Sequence, residues 1–188
     1  MKRSTIAFSL IAMFLAVGCS DNGKDQAAAT AAATATPAAS AAPEGQVSPL
    51  TKELPAAIKN FAFETAGNCS IDVVNNAMLG SAPEVTVNRT DGFSADGWAF
   101  DEKSGSVPAV VTLQLVQGEE RYYAQLNRHG GRDDLSKAFG KPEFANAGYF
   151  ASVEVASLPA GQYAIFVVQK GDGKNMVCST NRKLNLKG

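Results

Sequence analysis

The chain has 188 residues, with 17 Lys and Arg against 18 Asp and Glu, one histidine and three cysteines, for a formal net charge of −1. No basic cluster accompanies this balance, so the electrostatic footprint of a nucleic-acid binder is missing. With a lone histidine and no C-x-x-C pair the chain cannot assemble an ordinary zinc site, and no metal or other cofactor is expected.

Lys2 and Arg3 open the chain, and the uncharged run Thr5–Val17 (TIAFSLIAMFLAV) follows. A basic start before an apolar run of this length predicts a secretory signal. At ~1.5 Å per residue the run covers only ~20 Å of a ~30 Å hydrocarbon core, too little for an ordinary span. It leads through Ala16, Val17 and Gly18 straight into Cys19. That junction resembles the lipobox of bacterial lipoproteins, in which a small residue precedes the cut and the cysteine becomes the first residue. The resemblance implies residues 1–18 as a lipoprotein signal peptide cleaved by signal peptidase II. It also implies lipidation of Cys19 by a diacylglyceryl thioether, with acylation (such as palmitate) on its new amine. Several acyl chains hold a protein on a membrane stably where one holds marginally. Ser20, in the place where Asp signals inner-membrane retention in enterobacterial lipoproteins, implies an outer-membrane location facing the periplasm or the surface.

Residues 19–48 comprise the lipidated cysteine and a stretch dominated by Ala, Thr, Ser and Pro, with Val47 as its one large apolar side chain. Such a composition buries too little to offset its ordering entropy and predicts a disordered linker. It would average ~30 Å end to end as a flexible coil and reach ~90 Å as polyproline II.

Residues 49–188 have the size of one domain. Their first candidate element is a lead-in helix over Glu53–Phe61. β-prone runs follow at Cys69–Asn76, Pro83–Arg89, Gly97–Asp101, Pro108–Val116, Arg121–Asn127, Gly148–Ser157, Gly161–Gln169 and Lys174–Leu186. Turn residues separate them, and short strands at this spacing predict an all-β sandwich or barrel. "QYAIFVV" (Gln162–Val168) is apolar on both alternating faces, which predicts a strand buried on both sides or one carrying a second contact surface. One helix interrupts at "RDDLSKAFGKP": Asp133 is the expected N-cap and Gly140 the left-handed stop. Leu135, Ala138 and Phe139 form the face expected to pack on a sheet.

With Cys19 given to lipid, Cys69 and Cys178 remain as an even pair in an oxidising compartment. The expectation is a disulfide that joins the first and last strands or bridges two sheets; a redox or metal pair is the alternative. Closing a loop of about 110 residues is worth ~4–5 kcal/mol in the chain-entropy model.

Little in the domain points to catalysis. His129 in "NRHGGRDD" reads either as a base or ligand beside Asp133 or Asp134, or as part of a polar turn; the turn is the expectation. No nucleophile elbow, H-E-x-x-H or phosphate loop accompanies it. The acidic pairs Asp101-Glu102, Glu119-Glu120 and Asp133-Asp134 are neighbours in sequence, which does not make them face one another across a site. "GDGKN" reads as a hairpin turn rather than a calcium loop. Trp98 is expected as an inward core anchor and otherwise as a sugar platform. Tyr122 and Tyr123, adjacent on a strand, should point to opposite faces with one exposed.

Four short pieces resemble a module of bacterial envelope proteins with a "GWA-x-D" strand, an "R-x-D-[LV]" helix start, a "G-[FY]-x" strand and an "LPxGxY" hairpin. They are Gly97-Trp98-Ala99-Phe100-Asp101, Arg132-Asp133-Asp134-Leu135, Gly148-Tyr149-Phe150 and Leu158-Pro159-Ala160-Gly161-Gln162-Tyr163. The resemblance implies an immunoglobulin-like antiparallel β-sandwich and carries over no catalytic residues. The expected whole is a lipid-anchored envelope lipoprotein, not an enzyme, acting as a binding or structural module toward an envelope protein. A glycan or other small ligand is the alternative, and a hydrolase the least expected.

Overall fold

The computed structural model describes residues 47–188 apart from 60, 61, 66 and 172. The signal segment, Cys19 and the linker up to residue 46 lie outside the described residues. About half of the described residues are in strands: β1 (Val47–Ser48), β2 (Phe63–Thr65), β3 (Asn68–Val74), β4 (Ala77–Met78), β5 (Glu84–Asn88), β6 (Phe93–Phe100), β7 (Val111–Gln117), β8 (Glu120–Arg128), β9 (Gly148–Val153), β10 (Gly161–Lys170) and β11 (Asn175–Lys187). One α-helix, α1 (Asp133–Phe139), and a 3-10 turn at Pro142–Asn146 sit between β8 and β9. The all-β class read from the strand spacing therefore holds.

The strands pair in the order β2-β11-β10-β7-β8-β9-β6-β3-β4. β8 is the hinge of this path. Residues 120–126 pair with β7, while Asn127 and Arg128 pair with Phe150 and Tyr149 of β9. The path thus divides into a β10 wing (β2, β5, β11, β10, β7 and most of β8) and a β6 wing (β9, β6, β3, β4). Alternation supplies each wing with an inner face. Leu113 and Leu115 of β7, Tyr163, Ile165 and Val167 of β10 and Leu184 and Leu186 of β11 are buried together with Ile71 and Val74 of β3, Ala95 of β6 and Tyr149 of β9. This one cluster takes side chains from both wings. The Cys69–Cys178 disulfide joins β3 to β11, with Cα atoms 6.1 Å apart. It links strands that stand far apart in the pairing order.

Three pairings depart from the antiparallel expectation. β1 runs parallel to β9, and β2 and β5 both run parallel to β11. All three are short strands that reach their partner from a distant part of the chain, where no tight hairpin forces an antiparallel approach. Val47 and Ser48, placed in the linker by composition, form β1, and the Ser48 hydroxyl donates to the Gln125 carbonyl at 2.8 Å.

Local geometry corrects three further expectations. Over 53–59 there is a turn, not a helix: Ile58 and Lys59 both donate to the Pro55 carbonyl. Asp133 is the first residue of α1, and Arg132 holds the cap position; Gly140 does take the left-handed conformation, at φ 64°. Ala138 is exposed, while Phe139 packs edge-on against Phe100 and Phe144. At Gly97 a Cβ would lie 2.0 Å from the Ser70 carbonyl oxygen, so the β3–β6 approach at this register requires glycine.

Candidate functional sites on the two outer faces

The outer face of the β6 wing gathers the residues that carry chemistry. His129, just past the end of β8, turns toward β6: its Nε2 lies 3.3 Å from an Asp96 carboxylate oxygen, with the side chain 16% exposed. The partner is neither Asp133 nor Asp134. The contact is a close approach without hydrogen-bond alignment, since Nε2 is buried with no hydrogen-bond partner among the described residues. Arg132 is the centre of the face. It donates to Asp72 of β3 at 2.8 Å and makes a two-pronged contact with Asp134 at 2.9 and 2.8 Å. Ser70 in turn donates to Asp72 at 2.7 Å. The Arg132 guanidinium holds the Asp134 carboxyl below the usual carboxylate range, mainly through this hydrogen bonding and against a smaller cost of desolvation.

Trp98 lies on this outer face and is half-buried, not an inward core anchor. β6 presents Ala95, Gly97 and Ala99 to the interior, so Trp98 falls on the other parity. Its ring stacks on Phe100 at 5.0 Å, and the Arg132 guanidinium lies 6.0 Å from it. Phe100 stacks in turn on Phe144 at 4.1 Å, and Phe100, Leu135, Phe144 and Ala147 form a second buried cluster. The face is therefore roofed by α1 and the 3-10 turn. The ion pairs of Arg132, with His129 beside Asp96, tie the roof's entry loop to β3 and β6. An imidazole facing a carboxylate is two parts of an acid–base relay. Because Nε2 is the nitrogen turned to Asp96, the third part of such a relay would have to meet Nδ1.

One or more members of each acidic pair are engaged in structural contacts. Asp101 accepts from the Lys103 amide and the Ser104 hydroxyl, Glu120 pairs with Lys52, and Asp134 belongs to Arg132. Lys174 of the "GDGKN" turn pairs with Glu64.

The outer face of the β10 wing is different. A groove of about 350 Å³ runs across it, lined by Leu54, Phe63, Gln114, Val116, Arg121, Tyr123, Phe166 and Val177. Neighbouring strands place these side chains: Gln114 pairs with Tyr123 across β7 and β8 and with Phe166 across β7 and β10. The second apolar face of "QYAIFVV" is thus real, with Phe166 in the groove and Val168 buried beside it. The segment following β1 supplies one bank. Thr51 bridges to Tyr123, and fully buried Ile58 accepts the Asn175 side-chain amide at 2.6 Å through its carbonyl. This cover also buries Tyr123, while Tyr122 faces inward against Tyr163 at 6.2 Å; neither tyrosine is exposed. Phe63 is the most open apolar wall, 47% exposed.

Composition does not reveal this groove. The one signal for it in the sequence is the double apolar parity of β10. The bank residues Leu54 and Phe63 lie where the sequence predicts a helix or no element at all. Among the described residues, no group of three or more His, Cys, Asp and Glu is placed to hold a metal ion. No protein-family model matches the chain, and no curated protein matches it in sequence.

Proposed function

We propose that this chain is a lipid-anchored lipoprotein of the cell envelope whose all-β domain is a non-catalytic binding module. The groove on the β10 wing carries the reading. It is concave and mainly apolar, with a few polar groups at fixed positions, which is the usual make-up of a ligand site. The His129 face supports a structural part instead, because its charged groups are spent on one another and on holding the α1 roof. The anchor rests on the lipobox-like junction at Cys19, and the outer-membrane location on Ser20. An immunoglobulin-like sandwich is the finer fold reading. It draws support from the shared core of the two wings and the disulfide across them, and the parallel β1, β2 and β5 are departures from that pattern.

The test is site-specific photo-cross-linking in intact cells. A photoreactive residue replaces Phe63 in the groove or, separately, Glu143, which is exposed beside the α1 roof. A discrete adduct from position 63 and none from position 143 is expected. Equal yields from both positions, or an adduct from 143 alone, would overturn the reading.

A further inference from the structure

We infer that the groove on the β10 wing binds single-chain carboxylate amphiphiles, with Arg121 as the counter-charge at its rim. This rests on the binding-module reading above and names its ligand class. Leu54, Phe63, Val116, Phe166 and Val177 give the groove apolar walls, and no carboxylate lines it. Arg121 is its one charged lining residue. The guanidinium is exposed, donates only to the Glu119 backbone carbonyl at 3.0 Å and forms no ion pair among the described residues.

Tyr123 lies two residues further along β8 and so on the same face as Arg121. Its phenolic oxygen accepts a hydrogen bond from the Gln114 side-chain amide at 3.3 Å, which leaves the phenol proton to donate. A cation and a neutral O–H donor two residues apart on one strand, both lining an apolar trough, match a carboxylate head with an alkyl tail. The volume, about 350 Å³, is at the small end of the ~300–1,000 Å³ range of ligand sites and too small for a two-chain lipid. One cation also suits a single negative charge better than the several phosphates of a complex envelope lipid. A glycan needs many more donors and acceptors than Gln114, Tyr123 and Arg121 offer.

The experiment uses the full protein as cells produce it, held in phosphatidylcholine nanodiscs. A dodecanoate carrying a photoreactive diazirine in its chain is the probe, with adducts mapped by peptide. Dodecanoate and dodecyltrimethylammonium are the competitors. Adducts are expected on peptides bearing Phe63, Val116 or Phe166. Dodecanoate should compete about tenfold better than the cation, the scale expected when one ligand forms an exposed ion pair with Arg121 and the other is repelled by it. Arg121→Glu should abolish that preference, and Arg121→Lys should keep it; the side chain is exposed, so folding is not at stake. Labelling scattered over the surface, or equal competition by the two amphiphiles, overturns the ligand class. If a groove adduct still forms in cells at position 63, that failure falls on the ligand class alone. If no adduct forms at that position either, the binding-module reading falls with it.

Discussion

The two outer faces begin with the same problem and solve it differently. The β6 wing carries Trp98 and Phe100 outward, and the chain covers them itself with Leu135, Phe139 and Phe144. The cover is fixed at its entry by Arg132 on Asp72 and Asp134, while His129 closes on Asp96. The β10 wing carries Phe166 and Val177 outward, and the chain covers this face only in part, with residues 51–59 and Phe63 along a groove. A face sealed by its own aromatic roof and ion pairs has little left to offer a ligand. A face left concave and apolar keeps binding free energy in reserve. The lone histidine thus marks the structural face, and the face poor in titratable groups is the one read as functional.

The largest perturbation removes what holds the two wings together. Reducing Cys69–Cys178, which are separated by 109 positions, should cost up to ~4–5 kcal/mol, read as a fall in the urea midpoint on adding reductant. Because both faces depend on the wings, both should lose protection from hydrogen exchange together. Loss confined to one face would mean that the wings are stable separately.

Next in size is the roof. Phe144 is fully buried between Phe100 and Phe139, so Phe144→Ala should cost ~3–5 kcal/mol in equilibrium unfolding. Groove labelling measured well below the new midpoint should stay at the parental level. A parallel loss of labelling would show that the faces are coupled.

A smaller effect comes from charge. Asp134 titrates below its ordinary value in the folded chain because Arg132 bonds to it. A depressed carboxyl contributes stability that is present above its unfolded value of ~3.9 and lost as pH falls through the folded value. Asp134→Asn should therefore be less stable than the parent at neutral pH, by under ~1 kcal/mol because the carboxylate is well exposed, with the gap closing in acid. A gap that persists at the lowest pH would assign the loss to packing. Smallest of all, Phe63→Ser should change stability by no more than ~0.5 kcal/mol, the usual limit for an exposed side chain, yet weaken groove labelling severalfold.

Strands are legible in this sequence, and faces much less so. The β-prone run Pro108–Val116 and the double parity of "QYAIFVV" survive as β7 and β10 because period two is a local property. The helix stop at Gly140 survives for the same reason. β4 is absent from the expected runs although its signal is present: Asn75 and Asn76, both at positive φ, make the tight turn that returns the chain to β3. The parity of Trp98 is open to reading in "FSADGWAF", where small Ala95, Gly97 and Ala99 share one face and Trp98 takes the other. Other features depend on contacts that cross the fold. His129 meets Asp96 from a strand 33 positions earlier, and Arg132 meets Asp72 over a separation of 60. The groove needs several strands and a crossing segment to exist at all, so no window of sequence displays it. Cys69 and Cys178 are the exception, since counting cysteines under one assumption about Cys19 is enough to pair them.

In this molecule, function is assigned to the β10 face and structure to the β6 face. The most direct measurement is complementation of a gene deletion by two full-length variants, Phe63→Glu and His129→Ala, each first shown to be folded and membrane-associated at parental levels. Phe63→Glu is expected to fail to complement, while His129→Ala should complement fully. Loss of function in His129→Ala with Phe63→Glu intact would contradict this division and move the functional site to Asp96, His129 and Arg132.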